Sequence, residues 1–151
     1  MPEHQTPPIV LDTNVLVAGA CRHSGSMAYR VLLGIVQGRV PFFLTPGIAL
    51  EYQDVLLRPG VLALTGLTPT EALDLVTELI ARAHKVQSAF QWRPNLRDES
   101  DNKFVDAAIH GGAIIVTYNV ADYRHPDIPR HGWTAMTPQE FVSRYLIEEA
   151  G

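Results

Sequence analysis

Residues 8–13 read PIVLDT (Pro8 to Thr13), and the architecture of the chain follows from this stretch. Pro8 to Leu11 is apolar with no polar alternation, the pattern of a strand buried on both faces, and it stops at an acid. Such a strand needs a helical layer above and below it, and the downstream sequence supplies the helices.

Asp12 and Thr13 start a helical stretch through Val17. Ser24 is read as the N-cap of a second helix, with Met27, Val31, Leu32 and Ile35 on one face and Gly38 at its end. Phe42 to Leu44 is a second short strand. Thr45-Pro46 opens a helix that turns Ile48, Tyr52, Val55 and Leu56 inward and stops at Arg58-Pro59-Gly60. Thr68-Pro69-Thr70-Glu71 begins another, with Leu73, Val76, Leu79 and Ile80 as its apolar stripe. Lys85 to Gln87 reads as a brief strand and Trp92 to Arg97 as a loop. A helix over Asp101 to His110 ends at Gly111-Gly112, and Ala113 to Thr117 (AIIVT) is the next buried strand. Gly132 to Met136 is a last edge strand, and Thr137-Pro138-Gln139-Glu140 caps a final helix carrying Phe141, Tyr145 and Leu146. Apolar strands alternating with amphipathic helices predict an α/β fold with a parallel sheet covered on both faces.

The 151 residues fit one domain, expected over 1–151 with its core at about 8–145. An apolar content of 46% argues against disorder. Cys21 is the single cysteine and has no internal partner, which fits a reducing compartment. The start MPEHQTPPIV lacks the basic and long apolar segments of a signal peptide. No run approaches the ~20 apolar residues of a membrane span. A cytoplasmic protein with no membrane association is expected. The net charge of −4 gives no broad basic field for nucleic acid. Of the 12 basic residues only Lys85 and Lys103 are lysines; arginine suits phosphate contacts, and the same bias accompanies GC-rich coding sequence.

In a parallel sheet the ligand sits outside the carboxyl ends of the strands. Asp12 lies directly after the first strand, Glu51 in the helix after the second, Asp101 at the start of the helix leading into AIIVT, and Asp122 just after that strand. All four can face one edge of the sheet. Converging carboxylates repel unless a cation neutralises them, and an oxygen-rich site suits Mg²⁺ or Mn²⁺. No cysteine–histidine pattern has zinc spacing. An acid cage of this kind suggests phosphoryl chemistry. Each acid also has a structural reading: Asp12 as a helix N-cap, Glu51 as an exposed acid favoured by the helix dipole, Asp101 as one of a capping cluster, Asp122 as the cap of a short turn.

The segments IVLDTNVLVAG (9–19), TPGIALEYQDVL (45–56), RDESDNKFVDAAIHGGA (97–113) and IIVTYNVADY (114–123), in this order and with TPQEFV at 137–142, resemble the PIN-domain family. The resemblance is closest to its VapC-like toxin branch. It implies a three-layer α/β/α fold with a central, mostly parallel sheet of 4–5 strands. It also implies a Mg²⁺- or Mn²⁺-dependent ribonuclease acting on single-stranded or structured RNA, with a small antitoxin protein as partner and a homodimer as the assembly. Carried over segment by segment, Asp12, Glu51 and Asp101 are the first three metal-holding acids. The fourth position of the family carries Asn119 here, with Asp122 three residues on, so Asp122 is the candidate acid and Asn119 a neutral ligand or water-orienting group. Thr13, Asn14 and Thr117 are candidate donors behind the carboxylates, while Asp98 and Asp106 read as structural.

The six histidines form no metal pair at helical spacing and no triad. Arg22, His23, Arg93 and Arg97 can grip phosphates or simply face solvent, and Trp92 and Trp133 can stack a base or pack. A haloacid-dehalogenase-like phosphatase fails at Asn14, where that chemistry needs a second aspartate. A response-regulator receiver lacks its paired acids and lysine, and no glycine-rich phosphate loop is present. The remaining alternative is a catalytically weak PIN-like module that binds RNA or protein.

Overall fold

A computed structural model of the chain describes residues 6–85, 99–123 and 134–146, and of residues 85 and 99–102 only the backbone course. Strand β1 is Ile9–Leu11, fully buried as its unbroken apolar character demands. Helix α1 (Thr13–Ala20) follows at once, then α2 (Met27–Val36), β2 (Phe43–Leu44), α3 (Pro46–Leu56), α4 (Pro59–Thr65) and α5 (Pro69–Arg82). After β3 (His84–Lys85) come α6 (Glu99–Gly111), β4 (Ile114–Val116), a 3-10 turn at Val120–Tyr123, β5 (Thr134–Met136) and α7 (Pro138–Tyr145).

Strands β1, β4 and β5 form a parallel sheet with β4 in the centre, and β2 and β3 form a parallel pair. A single parallel bridge between Ile9 and Phe42 sets that pair beside β1. The Ile9 amide donates to Pro41 O at 2.9 Å at the same junction. The five strands therefore run in the order β3-β2-β1-β4-β5. The chain winds one way from β1 to β3, then returns past β1 to β4. Because crossovers are right-handed, the return puts α6 on the face opposite the helices that precede it. Accordingly α6 packs on β1, β2 and β4 and meets only α3 of the preceding helices closely, whereas α1, α2, α3, α5 and α7 pack among themselves. The expected three-layer α/β/α arrangement is thus present, with five parallel strands.

Local chemistry fixes most helix starts. Thr45, Thr68 and Thr137 each precede a proline at the first helical position, and each threonine hydroxyl accepts a backbone N–H three residues on. At Thr68 and Thr137 the glutamate at that third position reaches back to the threonine amide, closing a capping box. Other expectations need correction. The cap of α2 is Ser26, whose hydroxyl accepts from the Tyr29 amide at 3.3 Å, not Ser24. Arg58-Pro59-Gly60 ends α3 but also opens α4, because Pro59 occupies the one helical position where its missing N–H costs nothing. On α5 the buried face is Ala72, Val76 and Leu79, while Leu73 and Ile80 are exposed. Val76 and Leu79 are buried as expected; the two ends of the stripe differ because Ala72, which carries little weight in an apolar pattern, takes the inner face instead of Leu73. Gln87, Trp92 to Arg97, Gly132 and Trp133 lie outside the described residues.

The buried apolar side chains form one cluster, from Ile9 through Phe42, Tyr52 and Phe104 to Phe141. Gly111 ends α6 against the Phe43 ring, where an added Cβ would lie 2.3 Å from a ring carbon. No helix among the described residues is long and apolar enough to cross a membrane.

Candidate functional site

The strand order reverses between β1 and β4, and at such a point the loops leaving the two strands diverge and open a crevice. The residue after β1 is Asp12 and the residue after β4 is Thr117. The Asp12 amide donates to Val116 O at 3.0 Å, so the sheet's own hydrogen bonding fixes where the aspartate emerges.

Asp12 occupies the N-cap position of α1, yet its side chain makes no capping bond. Its Oδ2 instead accepts from the Thr117 hydroxyl at 2.6 Å and from the Tyr123 hydroxyl at 3.4 Å. Burial raises the Asp12 carboxyl above its ordinary value; the Thr117 hydrogen bond opposes the shift, and the charge of Glu51 adds to it. Thr117 is fully buried, and its hydroxyl also accepts the Asn119 amide at 3.0 Å, which ties the loop after β4 to the same anchor.

Glu51 reaches the crevice from α3. On the next residue, turned to the inner face, the buried Tyr52 hydroxyl donates to Leu11 O, pinning α3 to the end of β1. Burial, with the charges of Asp12 and Glu51, pushes that phenol well above its usual value, so it stays a donor. Glu51 Oε2 accepts from the Thr13 hydroxyl, and Lys103 of α6 sits 2.7 Å from Oε1.

Asp12, Asn14, Glu51, Asp54, Arg58, Lys103 and Asn119 are among the residues that line one cleft of about 530 Å³. Asn14 Oδ1 is buried with no hydrogen-bond partner. A buried side-chain oxygen left without a donor, in a cleft that carboxylates also line, is the kind of donor set a hard cation takes, and these residues fit a Mg²⁺ or Mn²⁺ ion.

Of the residues expected at the site, Asp12, Asn14, Glu51 and Asn119 line this cleft, and Thr13 and Thr117 stand behind the two acids. Asp101 lies in the first turn of α6, which also brings Lys103 and Phe104 to the cleft, but its side chain is outside the described residues. Asp122 is exposed on the 3-10 turn and does not line the cleft. Asp106 is half-buried on α6, and Asp98, Arg93, Arg97, Trp92 and Trp133 are outside the described residues. Arg22, His23, His84 and His110 are exposed. Among the described residues no three His, Cys, Asp or Glu side chains gather in a metal-holding group. Sequence reasoning missed Lys103, Tyr123 and the anchoring role of Tyr52. For Lys103 the one available signal was its rarity, as one of two lysines in the chain.

The strand order and a polar cleft with two acids at the reversal define a class: an α/β domain with a ligand site at the carboxyl edge of its sheet. The chain belongs to the PIN-domain family, whose model matches residues 8–121. Its fold is similar to the crystal structure of VapBC2 from Rickettsia felis bound to a DNA fragment from their promoter. That similarity has a TM-score of 0.54 at 14% identity and covers 86% of this chain and 98% of that one. No curated protein matches the sequence.

Proposed function

We propose that this chain is a Mg²⁺- or Mn²⁺-dependent ribonuclease whose site is the cleft at the β1–β4 reversal. PIN domains are generally nucleases and typically use divalent metal ions. The observation that carries the reading is the donor set itself: Asp12 and Glu51 line one cleft together with Asn14, whose buried side-chain oxygen has no hydrogen-bond partner. Asp12, Glu51 and Asp101 would hold the ion, with Asn14 and Asn119, which line the cleft, completing the oxygen set. The ion, when bound, supplies the charge that a phosphodiester needs in order to be attacked by water and to release its leaving oxygen.

The chain's own residues prepare that site. Thr117 and Tyr123 hold Asp12 in one rotamer through neutral donors, which orient the carboxylate without cancelling its charge. Thr13 does the same for one oxygen of Glu51. Arg58 and Lys103 at the cleft are the cations available to an RNA phosphate.

By likeness to the Rickettsia felis VapBC2 fold, we extend the reading to the toxin component of a toxin–antitoxin pair, working as a homodimer in the cytoplasm and covered by a small antitoxin protein. Co-expression with the product of the neighbouring reading frame, which should abolish cleavage, checks the partner. The nuclease reading is tested with unstructured RNA and Mn²⁺ on the wild type and on Asp12→Asn: cleavage that the substitution abolishes supports it. A second reading, a PIN-like module that only binds RNA or protein, is favoured by Asn119 in the fourth acidic position and by Lys103 on Glu51. Equal background in both proteins would select it.

A further inference from the structure

Two of the ion pairs on this protein are ordinary. Arg82–Glu78 joins two residues one turn apart on α5, and Arg58–Asp54 joins the last turn of α3 to the residue just beyond its end, with side chains 42–71% exposed. Pairs of that kind contribute little and fix nothing beyond their own turn. Lys103–Glu51 differs on both counts. It spans α3 and α6, which belong to opposite layers, and its side chains are only 30% and 22% exposed. Its carboxylate also lines the cleft, with those of Asp12 and Asp54, and of the three Asp54 is the one already paired within its own turn, to Arg58.

Each oxygen of Glu51 already carries a donor: Lys103 Nζ at 2.7 Å on Oε1 and the Thr13 hydroxyl on Oε2. Asp12, across the same cleft, accepts from hydroxyls, and among the described residues no cation sits on it. One acid is therefore electrically satisfied and the other is not. A divalent ion drawn to Asp12 and Asn14 would meet the Lys103 ammonium at Glu51, and two cations cannot share that carboxylate in a partly desolvated cleft without repulsion.

We propose that Lys103 is the site's resident counter-cation. It holds Glu51 in place while no metal is bound and must leave Glu51 for a divalent ion to bind, so that its departure sets the metal affinity of the site. The inference rests on the metal-site reading given above. Lys103 is a positioning residue here: it acts through Glu51.

The test is calorimetric titration of the full chain with Mn²⁺, for the wild type, Lys103→Gln and Lys103→Arg, together with melting of each protein in EDTA. Lys103→Gln keeps a polar side chain with part of the aliphatic stem and removes the competing charge. It should bind Mn²⁺ roughly three- to tenfold more tightly and melt roughly 2–4 °C lower in EDTA, since the metal-free form loses its ion pair. Lys103→Arg keeps the charge and should stay near the wild type in both measurements. A merely structural lysine would lower the melting temperature without tightening the metal. Unchanged or weaker Mn²⁺ binding by Lys103→Gln overturns the proposal while leaving the metal site standing. No Mn²⁺ binding by any of the three overturns the metal-site reading, and this inference with it.

Discussion

Asp12 and Glu51 face the same cleft, yet the protein treats them in opposite ways. Asp12 grows from the end of a buried strand and is held by Thr117 and Tyr123, both reached through the fully buried interior around β4. Neutral hydroxyls orient a carboxylate but leave its charge largely uncompensated, which is why burial still raises its proton affinity. Glu51 stands on a helix face, and a lysine from the opposite layer compensates it directly. The difference teaches how a metal site can be preorganised without collapsing: the acid fixed by the sheet keeps its demand for a cation, and the acid borne on a movable side chain is supplied with one from within.

Four measurements break or sharpen this contrast. The largest effect belongs to Asp12, the acid held only by hydroxyls among the described residues. Asp12→Asn should lower Mn²⁺-dependent RNA cleavage by at least roughly 100-fold, since even partners behind metal ligands carry about 10–100-fold. A variant within tenfold of the wild type would mean that Asp12 is not where the charge is needed. Thr117→Val keeps the shape and removes the donor to Asp12. It should cost roughly 10–100-fold in Mn²⁺ affinity by calorimetry, while Thr13→Val, acting on an acid that keeps Lys103, should cost less. The reverse order would show the anchoring contrast to be false.

Tyr52→Phe leaves Leu11 O buried without its donor, at about 1–3 kcal/mol. The melting temperature should fall by roughly 3–10 °C at this chain length. An unchanged melting curve would show that α3 is not pinned to β1 through this bond. The smallest effect is on pH. The carboxyl of Asp12 ordinarily titrates near 3.8 and is raised in the folded chain, so just above that value the folded form keeps a proton that the unfolded chain has released. Metal-free stability from this group is therefore full below the ordinary value and is lost as pH rises through the raised one. In EDTA, Asp12→Asn should lack this part of the pH slope and melt at or above the wild type at neutral pH. Identical slopes for the two proteins would remove Asp12 as the strained acid.

Much of the fold was written locally. The unbroken apolar runs of β1 and β4 announce double burial, and the three Thr-Pro pairs mark helix starts within one residue, because a cap and its proline act over a single turn. Reading failed where the deciding interaction was not local. Pro59 stops one helix and starts another, and only the packing of α4 against α1 and α3 decides that it does both. Leu73 and Ile80 are as apolar as Leu79, and nothing in the pattern says that the small Ala72 takes the inner face instead.

The sequence alone determined the residue types and their places at strand ends: acids after β1 and in α3, an amide in Asn14, a hydroxyl after β4. Those follow from hydrophobic period and capping chemistry, which act over a few residues. Tertiary structure decided which of them meet. Asp12 and Thr117 are joined because parallel pairing of β1 with β4 sets their strand ends side by side. Lys103 reaches Glu51 because the crossover returns α6 to the far face of the sheet. Strand order is a property of the whole buried core, and no single segment carries it.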